Sequence, residues 1–251
     1  MKNIIFFGDW EILSKEIPDS SIDLILTDPP WWYKKLPTHF HTMSVSSPPT
    51  HGLVGKYKSY KEFCEKMFEE FKRVIKPSGN VCIMANLQMF PTLLVASAKS
   101  DLKFKKFFVW CIKDFANPLV HNCFHIVSYF VFIFGGKKTY FDEKEARKFT
   151  PKLENFIIIE RSEMTKHPFI FQGRKPNKLL ELFVLSFSPP GGIVYDPFLG
   201  SGSIIKPVVL NNRRLIGSEI NDEAETMIRH EAIESGGVFE FLKGETVKLR
   251  L

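Results

Sequence analysis

The sequence predicts an α/β fold built on an open, largely parallel sheet. Three observations carry this. Short apolar runs are near-continuous instead of strictly alternating, as in strands covered on both faces. Amphipathic helical segments lie between several of them. Four of the runs end in or just before a carboxylate, at the strand ends where open α/β sheets bind ligands.

The apolar runs occupy residues 4–7, 22–26, 81–85, 107–111, 126–134, 193–195 and 215–217. The clearest helix begins at Tyr60. Its apolar residues Tyr60, Phe63, Met67, Phe71, Val74 and Ile75 recur at steps of three and four, while lysines and glutamates fill the other face. Pro77 and Gly79 stop it. A second helix spans 177–187 and ends at Pro189-Pro190-Gly191, and a third spans 223–234. Two stretches stand outside this scheme. Residues 34–56 are rich in Pro, His, Ser and Thr, and residues 137–152 are dense in charge. Loops of this length inside a compact domain are usually functional or solvated surface. No repeat or linker divides the chain, so 1–251 reads as one domain.

The acids at the run ends are Asp9, Asp28, Asp196 and Glu219. Helix caps and turns account for one or two such acids; four point to a carboxylate-lined cleft. After Asp196 the chain passes through Phe198, Gly200, Ser201 and Gly202 into a helix. Glycines there permit a tight turn and close backbone approach to a ligand. Glu219 follows Gly202 by about 17 residues, a distance that suits a ribose-binding acid. The spacing is neither GxGxxG nor a GKS/GKT phosphate loop, so a nucleoside lacking a pyrophosphate is the expected ligand.

The formal net charge is +6 and the pI about 9.0, which is compatible with a polyanionic partner. Cys64, Cys82, Cys111 and Cys123 lack zinc-knuckle or redox spacing. They read as free thiols in a reducing, cytoplasmic setting. The first residues lack a signal-peptide pattern, and the longest apolar run is about half a membrane span. No membrane partner is expected. His39, His41 and His51 lack a nearby acid or cysteine pattern, so no metal site is read there.

Residues 25–33, ILTDPPWWY, place Asp28, Pro29, Pro30 and Trp31 at a run end. With FLGSG far downstream at 198–202, the chain resembles the DNA amino-methyltransferases of the permuted, beta-class arrangement, in which a [D/N/S]-P-P-[Y/W/F] motif precedes FxGxG. The resemblance also runs through GDWEIL, FKRVIKPSGNVCIM, VWCIKD, PPGGIVYDPFLGSG and RRLIGSEI, which is most of the chain. It implies a Rossmann-like, circularly permuted fold with a seven-stranded, mostly parallel sheet and one antiparallel strand. It implies S-adenosyl-L-methionine as cofactor, with Phe198, Gly200, Ser201 and Gly202 cradling the methionine part, Asp196 nearby, Glu219 on the ribose and Asp9 near the adenine end. One departure concerns Lys175. His167 and Lys175 stand four residues further apart than in the family's HPxxKP pattern, so the reach of Lys175 to the cofactor carboxylate is an open expectation.

The implied reaction is methyl transfer to an exocyclic base amine. That nitrogen is a poor nucleophile because its lone pair is delocalised into the ring. Acceptors aimed at its hydrogens favour the tetrahedral geometry that attack requires. The Asp28 side chain and the Pro29 carbonyl are the candidates, with the prolines fixing the turn. Trp31 offers a stacking face for a base flipped from double-stranded DNA. Trp32 and Tyr33 fit core packing equally well. Ser-Pro-Pro at 47–49 and 188–190 is not followed by an aromatic, and the Pro-Cys dipeptide of cytosine-ring methylases is absent. Asp before the prolines favours adenine N6 over cytosine N4. RNA adenine methylation, amide methylation and a silent nucleic-acid binder are the alternatives. The insertions at 34–56 and 137–152 are the candidate target-recognition loops. The expected assembly is a monomer or homodimer, and a restriction endonuclease partner is compatible with the reading.

Overall fold

A computed structural model describes residues 2–30, 56–113, 127–160, 162–163, 174–244 and 248–249. Trp31, Trp32, Tyr33, most of the 34–56 insertion with its three histidines, Cys123 and His167 lie outside the described residues.

The first half of the chain comprises β1 (Asn3–Phe7), α1 (Trp10–Glu16), β2 (Ile22–Thr27), α2 (Tyr60–Val74), β3 (Ile75–Ala85), α3 (Phe90–Lys99), β4 (Lys103–Lys113) and β5 (Ser128–Gly135). The second half comprises α4 (Glu143–Ala146), β6 (Phe156–Glu160), α5 (Asn177–Phe187), β7 (Ile193–Asp196), α6 (Ile205–Val209), β8 (Arg214–Glu219), a 3₁₀ turn (Asp222–Ala224), α7 (Glu225–Glu234) and β9 (Phe239–Lys243).

The strands form one sheet in the order β6-β4-β5-β3-β2-β7-β8-β1-β9. Only β5 runs antiparallel to its neighbours among the described pairs. The expected sheet of seven strands is therefore corrected to nine. The two additions are β6 and β9, both at edges. They pair with β4 and β1; the apolar run 156–159 in β6 is itself a strand signal of the kind used for the others. Ile157 and Ile159 of β6 point inward, whereas Phe156 and Ile158 remain exposed.

Both sheet faces are covered, which explains the near-continuous apolar runs. In β2, Ile25 joins a core with α1, α2 and α3, while Leu24 and Leu26 join a core with α5, α6 and α7. Helix α2 begins at the cap Ser59, whose hydroxyl accepts from Glu62 N at 3.2 Å. Its predicted face is buried, except that Tyr60 is half-buried. The chain turns straight from Val74 into β3, so Pro77 and Gly79 lie in a strand. Pro207 falls in the first turn of α6, where its missing N–H costs no helix bond. No described helix is long and apolar enough to cross a membrane.

Phe68 is fully buried, with its ring 5.1 Å from Phe134 and 6.3 Å from Phe71. Phe68→Ala is expected to lower the unfolding free energy by about 3–5 kcal/mol. Phe156→Ser on the exposed edge should change it by less than about 1 kcal/mol. Urea titrations of the two variants check this contrast.

Candidate active site

Strands β2, β7, β8 and β1 are adjacent and parallel, so Asp28, Asp196, Glu219 and Asp9 come together at one edge of the sheet. β2 leads through α2 to β3 on one side, and β7 leads through α6 to β8 on the other. The strand order diverges between them, which is where α/β sheets open a ligand crevice.

Thr27 Oγ1 donates to Asp196 Oδ1 at 2.7 Å across this divide. Phe198 N donates to the same oxygen at 3.0 Å. Burial pushes the Asp196 carboxyl up to about 7; the two hydrogen bonds oppose the rise, and nearby Asp28 and Glu219 add to it. Just past β2, Asp28 Oδ2 accepts from Lys175 Nζ in an ion pair. Asp28 Oδ1 is buried and has no hydrogen-bond partner among the described residues. Lys175, expected at the cofactor carboxylate, thus sits on the acid of the DPP turn. Pro29 is buried and Pro30 half-buried beside it.

The turn after β7 has the form its glycines require. Gly200 and Gly202 have φ of 53° and 74°. A Cβ on Gly202 would lie 3.3 Å from Ile228 Cα, so the turn packs directly on α7. Ser201 between them is buried. Glu219 Oε2 accepts from Gly200 N at 2.7 Å, and Oε1 accepts from Asn221 N at 2.8 Å. These bonds fix the acid beneath the turn. Asp9 caps α1, accepting from Glu11 N at 3.0 Å, and its other oxygen takes Lys56 Nζ at 2.5 Å.

An aromatic wall joins these acids. The Phe198 ring lies 5.8 Å from both Trp10 and Phe63. Tyr57 and Tyr60 stand 5.3 and 5.8 Å from Phe63. Burial raises both phenols above their ordinary value. Sequence reasoning missed Trp10, Thr27, Lys56 and Tyr57 as members of the site. Trp10 and Thr27 directly adjoin Asp9 and Asp28, so adjacency to a strand-end acid was the available signal. Lys56 and Tyr57 carry no such signal, because only the fold returns them to β1.

The two insertions differ in placement. The described residue nearest the start of the first, Pro30, and its last residue, Lys56, both stand at the acid-lined edge. The 137–152 segment leaves β5 just after Gly135, which pairs with Asn80 at the opposite end of the sheet. Tyr140 N donates there to Ser78 O at 2.7 Å. Part of its charge is internally matched, with Arg147 on Glu143 and Lys148 on Glu145, both at 2.7 Å.

This strand order, one reversed strand and a glycine turn at the divide define a Rossmann-like α/β methyltransferase fold. The chain belongs to the DNA methylase family, whose model matches residues 22–230. It is similar to the type II methyltransferase M.HinfI of Haemophilus influenzae, 25% identical over 86% of this chain and 64% of that protein. It is also similar to the DNA adenine methyltransferase YhdJ of Escherichia coli (strain K12), 26% identical over 87% and 79%. A shorter match, 52% identical over 58 residues, links it to the orphan methyltransferase M.BamHII of Bacillus amyloliquefaciens, covering 23% of this chain and 20% of that one. The chain spans less than two thirds of the length of the M.HinfI and M.BamHII proteins. Among solved structures, the cytosine-N4-specific PvuII DNA methyltransferase superimposes with a TM-score of 0.72 at 17% identity, covering 97% and 95%. The M1.HpyAVI–SAM complex gives 0.65 at 19%, covering 90% and 98%. At these identities the likeness concerns the fold.

Asp196 generates a pH prediction for the protein without cofactor. Its folded-state value of about 7 lies above the ordinary 3.8. Between those values the folded state holds a proton that the unfolded state lacks, so stability from this group falls as pH rises through the window. Asp196→Asn keeps an oxygen for Thr27 and Phe198 but does not ionise. Its melting temperature relative to wild type is expected to be higher at pH 8 than at pH 5. An equal difference at both pH values would refute the assignment.

Proposed function

We propose that the chain is a DNA methyltransferase that moves a methyl group from S-adenosyl-L-methionine to the exocyclic N6 amine of adenine in double-stranded DNA. The observation that carries this reading is Asp28. One carboxylate oxygen is held by Lys175 and the other is buried without a partner among the described residues. It lies at the divide, across from the glycine turn.

The site fits the cofactor in three respects. The two positive-φ glycines allow backbone approach. Glu219, a carboxylate at the end of β8 beneath the glycine turn, is placed to accept from ribose hydroxyls. Trp10, Phe198 and Phe63 supply flat apolar surface, and Asp9 stands at the end of β1 beside them. Phe198, Gly200, Ser201 and Gly202 cradle the methionine part, with Asp196 beside them. S-adenosylmethionine supplies an electrophilic methyl group on a sulfonium centre.

The chain's own residues prepare the amine. Asp28 Oδ1 and the Pro29 carbonyl accept hydrogen bonds from the amine and draw the nitrogen towards tetrahedral geometry, so its lone pair is freed from the ring, and the proton released on methylation passes through the Asp28 carboxylate to solvent. Lys175 keeps the carboxylate oriented. Pro29 and Pro30 restrict the turn so that both acceptors stay fixed, and positioning of this kind supplies much of the rate. Trp31 stacks on the extruded base, offsetting the few kcal/mol that unpairing costs. Of the two insertions, 34–56 is the better candidate for target recognition, because its flanks meet the acid-lined edge. The 137–152 segment springs from the far edge.

Adenine is favoured by Asp ahead of the prolines and by the similarity to an adenine methyltransferase. Cytosine N4 is the second reading, favoured by the fold likeness to a cytosine-N4-specific enzyme, because the same acceptor pair serves either amine.

The test is methylation of mixed-sequence duplex DNA with labelled cofactor, followed by nucleoside analysis. N6-methyladenine is expected. N4-methylcytosine would overturn the base assignment, and no transfer to DNA would overturn the function. Asp28→Ala should abolish transfer while calorimetric cofactor affinity stays within about threefold, as expected of a group acting on the amine alone. Gly202→Val should do the reverse at the binding step, since its strained backbone and the Ile228 contact displace the turn.

A further inference from the structure

Glu231 lies on α7 and is fully buried. An enclosed carboxylate is costly unless cations and hydrogen bonds match it. Its Oε1 accepts from Arg174 Nη2 at 3.1 Å, and its Oε2 faces Lys206 Nζ at 3.8 Å. Arg174 is itself nearly buried, at 11% exposure. Lys206 also reaches Glu234 at 3.9 Å, and His230 neighbours Glu231 on the helix. One carboxylate therefore ties together α7, the helix that follows the glycine turn, and the strap of residues 174–176 that precedes α5.

The strap is what makes this pair consequential. Arg174 is the residue before Lys175, whose ammonium pairs with Asp28. Pro176 follows and caps α5, with its carbonyl accepting from Leu179 N at 3.1 Å and Leu180 N at 3.2 Å. Lys175 is thus held between two fixed neighbours, one on α5 and one docked on α7. A lysine on a free strap has four rotatable side-chain bonds and a mobile backbone. Here the backbone freedom is removed by a buried ion pair to α7. The core gains little stability from such a pair compared with apolar side chains of similar volume, so its value lies in fixing position.

We infer that Glu231, acting through Arg174, is a positioning residue that sets Lys175 on Asp28 and thereby orients the carboxylate that accepts the amine. This rests on the reading of Asp28 as that acceptor. Asp28 is faced by Lys175 from the strap, by Asp196 from β7 and by Tyr60 from α2.

The decisive variant is the pair Arg174→Met with Glu231→Leu, which removes the tether without leaving a buried orphan charge. Glu231→Gln is the simpler companion, and the paired variant decides if it fails to fold. With the full chain, duplex DNA and S-adenosylmethionine, kcat is expected to fall about tenfold or more, while KM for the cofactor stays within about threefold. In a Lys175→Met background the same pair should change kcat no further, because the two act through one contact. A folded paired variant with wild-type kcat overturns the inference, as does an equal fall in the Lys175→Met background. Asp28→Asn separates the two levels. Wild-type turnover there would remove the reading of Asp28 itself, whereas an inactive Asp28→Asn with an unaffected paired variant would remove only the positioning role.

Discussion

The hydrogen bond from Thr27 Oγ1 to Asp196 Oδ1 joins residues 169 positions apart in the chain. It closes the gap between β2 and β7, the two strands from which the sheet's connections diverge. Everything at the acid-lined edge is referred to this pair of strands. The DPP turn leaves the end of one and the glycine turn leaves the end of the other. Because the strands are parallel and in register, Leu24 with Val194 and Ile25 with Tyr195, both turns emerge on the same side at the same height. A slip of one residue would turn every strand side chain to the opposite face and separate Thr27 from Asp196.

Around that bond the charges are arranged in matched sets, and each set also holds a backbone segment. Glu219 grips the glycine turn through Gly200 N. Asp9 caps α1 while taking Lys56. Asp28 takes Lys175. Asp196 stands apart in how far it is pushed towards neutrality. It has hydrogen bonds but no cation among its described partners, and burial lifts it towards neutrality. Four carboxylates gathered at one edge would repel one another in a medium of low dielectric. Two lysines brought in from remote segments and one protonatable acid relieve that repulsion.

The chain order also has a structural consequence. The DPP strand precedes the glycine turn in sequence, yet they are neighbours in the sheet. The segments between them build the half of the sheet that runs β3, β5, β4, β6. In that half, β5 is reversed, so the loop after it returns to the edge remote from Asp28. A charged insertion at 137–152 is therefore separated from the acids by the length of a strand, although in sequence it looks as suitable as 34–56.

Local pattern determined a good deal by itself. Apolar runs without alternation marked strands covered on both faces, because a buried strand needs no polar side. The periodicity of 60–75 marked α2 down to its buried face, and the acids at run ends marked the ligand edge. Motif order identified the family, since a short acidic proline turn and a glycine turn carry their chemistry locally. The tertiary structure decided what depends on pairing and return of the chain. It added β6 and β9, which pair with β4 and β1 at the two edges of the sheet. It brought Lys56 to Asp9, Lys175 to Asp28 and Arg174 to Glu231, contacts between residues with no shared period or spacing. Side-chain partners of this kind are set by strand order and by which helix covers which face. No window of sequence contains that information.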